Sequence, residues 1–111
     1  MNTTRLDQLF GFLKDEPNDP FLLYAIATEY RAENPAKALE YYEQLLRDHP
    51  GYVGTYYHAG KVYEEFNRPA DAEATYKKGL AEARKQGQLH AASELQGAYN
   101  KLMGLDYEDE D

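Results

Sequence analysis

His90 and Glu94 are the residues whose types and spacing come nearest to catalytic or metal chemistry, because four positions apart on a helix they share a face. Two ligands fall short of the three or four that a metal site normally needs, so a solvent-facing pair is expected. Gly54 and Gly60-Lys61 look like a phosphate-binding loop, in which backbone N–H groups of a glycine-rich turn cradle the anion. The glycines stand one residue too far apart, no Ser or Thr follows the lysine, and the segment reads as helix, so a nucleotide site is not expected. His58, Lys61 and Glu65 are the set that a small enzyme or ligand carrier would use, yet no positioned nucleophile or metal set accompanies them. His49, next to Pro50 at a helix end, suits the negative end of a helix dipole. With no cysteine there is no disulfide frame and no thiolate metal site. The expectation is a chain that is not an enzyme and carries no cofactor and no metal.

Charge and composition narrow the partners. The formal net charge is -8, but five of the 20 acids fall in the last six residues, Asp106–Asp111, which leaves the remainder near -3. Nucleic acid requires clustered Lys and Arg to displace counterions, and no such cluster exists, so a protein or peptide partner is favoured. The acidic segment reads as a solvated, disordered end. Charged residues at 29% and apolar ones at 42% exclude both wholesale disorder and a membrane span. Nothing in the first 13 residues follows the basic-then-apolar pattern of a secretory signal, so a cytoplasmic location is the default. A chain of 111 residues is sized for one domain, expected over residues 1–105.

The elements that would position these side chains are helices. Residues 1–16 hold one, with Thr4 and Asp7 as a capping box and Leu6, Leu9, Phe10 and Leu13 on one face. Residues 20–50 and 53–86 each read as a helix, a turn and a second helix. Pro35 and Pro69 stand at the start of the second helices, where a missing N–H costs nothing. Residues 88–104 form a last helix, with Ala92, Leu95, Tyr99 and Leu102 on one side and a wetter row of His90, Glu94, Gly97 and Lys101 on the other. Gly87 is its predecessor's C-cap.

The two helical pairs are imperfect copies. Leu23, Ile26, Ala27 and Tyr30 correspond to Tyr56, Ala59, Gly60 and Tyr63 at an interval of 33 residues, while Ala38 and Tyr42 correspond to Ala72 and Tyr76 at 34. One residue is therefore missing from the first turn, opposite Arg68. Small residues at these positions let two antiparallel helices approach while large ones fill the gaps, and the pattern resembles the tetratricopeptide repeat. On that resemblance the fold is all-α, an α-solenoid of antiparallel helix pairs with about six helices: half a repeat, two full repeats and a polar-backed capping helix. Gly79 stands where the family usually has Ala, which implies close helix approach. Tyr30, Tyr42, Tyr63 and Tyr76 belong to the packing series, expected half-buried with the hydroxyl wet.

The resemblance also implies a function. In this family the first helix of each repeat lines a concave groove that takes a partner segment. By carry-over, Tyr24, Thr28 and Arg31 in the first repeat and Tyr57, His58, Lys61, Glu64 and Glu65 in the second line or edge that surface. Two Tyr mixed with basic and acidic groups suit an extended or helical peptide with apolar and charged side chains. The clamp that one subset of the family uses on chaperone tails is not matched, since Tyr24, Thr28 and His58 stand where Lys and Asn would be needed. The alternative is a homodimer or scaffold formed through exposed ends, using Leu6, Phe10 and Phe12 or Leu102, Met103 and Leu105.

Overall fold

A computed structural model describes residues 3–105, and among them every regular element is a helix: α1 Thr3–Asp15, α2 Pro20–Arg31, α3 Pro35–Asp48, α4 Gly54–Glu65, α5 Pro69–Lys85 and α6 Leu89–Leu102. The acidic segment Asp106–Asp111, expected to be disordered, lies outside the described residues, and so does the Thr4 side chain on which the expected capping box depends. The helices gather into two compact units that divide between Thr55 and Tyr56.

In the first unit α1 packs on α2 and α2 on α3. Leu6 and Leu9 of α1 close over Leu22 and Ile26 of α2, with Phe10, Leu13, Ala25, Tyr30 and Tyr41 partly buried around them. The tyrosine rings of residues 30 and 41 stack at 6.0 Å, and Phe10 leans against both. Leu23, Ile26 and Leu45 are fully buried, each contributing about 1.5–3 kcal/mol of transfer free energy. Burial of Leu6 corrects the expectation that it belongs to an exposed end: the first α1 leucine packs in the α1–α2 seam, and of Leu6, Phe10 and Phe12 only Phe12 is exposed.

Turn chemistry explains where the helices start and stop. Asp19 caps α2 by accepting from the Phe21 N–H at 2.9 Å, with Pro20 in the first position. His49 caps the end of α3 through its own N–H to the Leu45 carbonyl, and its ring nitrogen Nε2 lies 3.2 Å from Asn18 Oδ1, tying together two loops 31 residues apart in sequence. The missing residue in the first turn changes the job of an asparagine. In the α4–α5 turn Asn67 takes the left-handed conformation (φ 58°), its N–H bonding Glu64 O and the Arg68 N–H bonding Tyr63 O, a Schellman closure. In the shorter α2–α3 turn the aligned Asn34 is instead the N-cap, its side chain accepting from the Lys37 N–H at 3.2 Å.

In the second unit the small-against-large pairs are close. A Cβ placed on Gly60 would lie 2.2 Å from the Tyr76 ring, and one on Gly79 would lie 2.4 Å from Tyr56 Cβ and 3.2 Å from Leu95. The close approach expected at Gly79 is therefore present: α4 and α5 meet where both glycines have no side chain. α5 also packs on α6, through buried Ala92, Leu95 and Ala98. Gly87 and Gly104, both at φ 72°, end α5 and α6 with the same Schellman closure.

Candidate functional site

Each unit holds part of the predicted site. In the first, Tyr24 is half-buried, edge-on to Tyr42 at 6.3 Å and 5.6 Å from Tyr52. Thr28, one turn on, gives its hydroxyl proton to Tyr24 O at 2.9 Å, so the Tyr42 hydroxyl 3.3 Å away is the donor to Thr28 Oγ1. Arg31, in the last turn of α2, brings its positive charge toward the Tyr24 phenol.

These bonds correct the reading of the packing tyrosines. Tyr42 and Tyr76 are at 0% exposure, and Tyr63 is at 7%; only Tyr30 of the four is half-buried. A buried phenol must find a partner inside, and Thr28 meets Tyr42 while Glu64 Oε2 accepts from the Tyr76 hydroxyl at 2.5 Å. Thr28 and Glu64 thus have a packing duty that the sequence pattern, which places them on the groove side, does not reveal.

In the second unit Tyr57 and Lys61 of α4 face α6 across a recess of about 310 Å³, completed by Ser93, Glu94, Gly97, Ala98 and Lys101. Lys61 Nζ sits 5.5 Å from the Tyr57 ring centroid, a cation–π contact that holds the ammonium at the recess. His58 stands edge-on to Tyr57 at 5.5 Å and is half-buried; Glu65, at the end of α4, is exposed. His90 Nε2 lies 3.5 Å from Glu94 with both side chains largely in solvent, as expected of a solvent-facing pair. Glu94, Gly97 and Lys101 were visible in the sequence as part of a wetter row, but Ser93 and Ala98 were not, and nothing there indicated that this side of α6 faces Tyr57 and Lys61. Among the described residues no group of three or more His, Cys, Asp or Glu side chains could hold a metal ion, and no helix is long and apolar enough to cross a membrane.

Burial also raises the phenol pKa values of Tyr24, Tyr41, Tyr52 and Tyr56 above their ordinary value near 10, in each case mainly by desolvation. A raised phenol pKa means that the folded state holds more protons than the unfolded one above that value, so this stabilisation is complete below about pH 10 and lost as pH rises through the folded pKa. The urea midpoint is expected to hold from about pH 7 to 9 and to fall from about pH 10 upward, in step with phenolate absorbance. Phenolate forming well below the fall in midpoint, in an intact fold, would contradict this.

Paired helices whose interfaces are made by recurring small and aromatic residues, joined by proline-started turns, define the class: an all-α helical-repeat protein. Residues 29–95 match the tetratricopeptide repeat family. The chain is similar to a tetratricopeptide repeat domain protein from Salinibacter ruber seen in solution, at 45% identity over 83% of this chain and 94% of that one with a TM-score of 0.75. A crystal structure of such a domain protein from the same organism matches at 46% identity over 79% of this chain and 100% of that one, again with a TM-score of 0.75. A protein from Bordetella parapertussis, 22% identical over 94% of this chain and 91% of that one, shares the fold at a TM-score of 0.75. No curated protein matches. The chain belongs to the tetratricopeptide repeat family, whose members are generally non-enzymatic modules that mediate protein–protein interaction.

Proposed function

We propose that this protein is a protein-interaction module that takes a segment of a partner on the α4–α6 recess of its second unit, with Tyr57 and Lys61 as the principal contacts. The observation that carries this is the recess itself. It offers an aromatic face and an ammonium held against it, on helices whose packing is set by Gly60 and Gly79. A half-buried Tyr supplies large contact area at little conformational cost, and Tyr is among the residues enriched in interface hot spots. The surface is preorganised, so a partner segment bears most of the ordering cost. Tyr24 and Arg31 are proposed as a second contact patch on the first unit. Self-association through the α1 end is less well supported, because Leu6 is buried and Phe10 half-buried, whereas at the α6 end Met103 and Leu105 are exposed.

The experiment is capture of partners from the native source by the full chain, with Tyr57→Ala plus Lys61→Ala as the control. Proteins retained by the natural sequence and lost by the variant identify the partner. Identical capture by the two would remove the site assignment.

A further inference from the structure

We infer that Gly97 is the specificity-determining residue of the α4–α6 recess: the side chain it lacks leaves a slot in which one aromatic side chain of a partner, Tyr or Trp, lies between the Tyr57 ring and the bare surface of α6. This rests on the recess being the binding surface, and it adds which side chain the recess takes and which residue makes that choice.

The fold itself has no use for a glycine at this position. Gly97 lies inside α6, exposed, and a Cβ added there would meet nothing within 4 Å. Gly60 and Gly79 differ, since a Cβ on either would collide with a tyrosine. The glycines that take the left-handed backbone are Gly87 and Gly104, so φ does not require glycine at 97 either. Alanine would make the better helix. Gly11 of α1 is equally unconstrained, so an exposed glycine alone carries nothing. Gly97 stands apart because it lines the recess together with Tyr57.

Size and wall chemistry select the occupant. At about 310 Å³ the recess is at the lower end of the roughly 300–1,000 Å³ of small-ligand pockets, which suits one large side chain. Tyr57 offers a ring on the α4 side, while Gly97 and Ala98 on α6 offer a floor with almost no side chain. A flat ring can stack on Tyr57 or stand edge-on to it, and lie along the bare helix surface at the same time. Around it Lys61, Ser93, Glu94 and Lys101 supply hydrogen-bonding groups for the O–H of a Tyr or the N–H of a Trp, which an aliphatic side chain would leave unused. Lys61 and Lys101 stand against Glu94, so the rim carries both signs and charge does not choose the occupant. A leucine-sized side chain at position 97 would fill the slot that the ring needs.

The test is selection of a phage-displayed library of random peptides on the full chain, followed by fluorescence anisotropy with an enriched peptide. Enriched peptides should share one Tyr or Trp, and replacing it by alanine should abolish binding. Gly97→Leu should weaken binding at least about tenfold, as overfilling a packed site does, while raising the urea midpoint. Gly11→Ala should raise the midpoint and leave binding unchanged. Enriched peptides with no shared ring residue, a selection that enriches nothing, or Gly97→Leu binding as tightly as the natural chain would each overturn the assignment, and so would a Gly97→Leu midpoint below the natural one. Peptides bound alike by the natural chain and by Tyr57→Ala plus Lys61→Ala would remove the recess and this assignment together. Peptides lost by that double variant yet held by Gly97→Leu leave the recess standing and remove only the role of Gly97.

Discussion

Gly60→Ala is expected to destabilise the protein by about 3 kcal/mol, although alanine is the better helix former by about 1 kcal/mol. The reason is the position of Tyr76. An added Cβ at residue 60 would sit 2.2 Å from one ring atom of Tyr76 and 2.6 and 2.7 Å from two others. The ring cannot swing away cheaply, because it is fully buried and its hydroxyl is bound by Glu64. Relieving the clash means moving α4 off α5, which opens a gap elsewhere and forfeits dispersion contacts along the seam. Gly11→Ala is the control: residue 11 is also inside a helix, but an added Cβ there meets nothing within 4 Å. That change should stabilise the protein by about 0.5–1 kcal/mol. Urea denaturation of the two variants checks the pair. A Gly60→Ala midpoint at or above that of the natural sequence would show that the helices do not meet as described.

The largest effect on function is expected from Tyr57→Ala combined with Lys61→Ala, which should weaken partner binding by about 2 kcal/mol or more, about 30-fold, as truncation of a central hot-spot tyrosine does. Stability should change little. Tyr57 and Lys61 are half-buried at the edge of the recess, whereas the α4 side chains that hold the unit together are Tyr56, Ala59, Val62 and Tyr63. Calorimetry with the captured partner reads the affinity, and a urea midpoint on the same preparation separates lost binding from lost fold. Equal losses from Tyr57→Ala plus Lys61→Ala and from the exposed pair Lys77→Ala plus Lys78→Ala on α5 would point to general charge attraction rather than to the recess.

The fold was legible because its rule is local and repeats. Tyr56, Gly60, Tyr76 and Gly79 are spaced by the helical period, and the same spacing recurs one repeat earlier with the proline-started turns in phase. What the spacing could not tell is how a buried polar atom is satisfied by a residue on the neighbouring helix. Tyr42 depends on Thr28 across 14 residues and Tyr76 on Glu64 across 12, and both phenols go fully inside because those partners exist. Asn34 and Asn67 align in sequence and differ in backbone, since one missing residue turns a left-handed cap into an N-cap. The candidate site was half legible. Tyr57 and Lys61 follow from the repeat register, but Ser93, Gly97 and Lys101 come from a helix where the repeat pattern fades, so no register says what they face.

The most direct test of the α4–α6 recess as the binding surface uses the absence of cysteine from the natural chain, which lets one introduced thiol be labelled alone. A photo-cross-linker is attached to the full chain at Ser93→Cys in the recess, or at Lys77→Cys on the exposed side of α5, and each is irradiated with the captured partner. The expected result is a covalent adduct from position 93 and little or none from position 77, with the Ser93→Cys adduct lost when Tyr57 and Lys61 are replaced by alanine. Adducts formed equally from both positions, or from position 77 alone, would contradict the assignment.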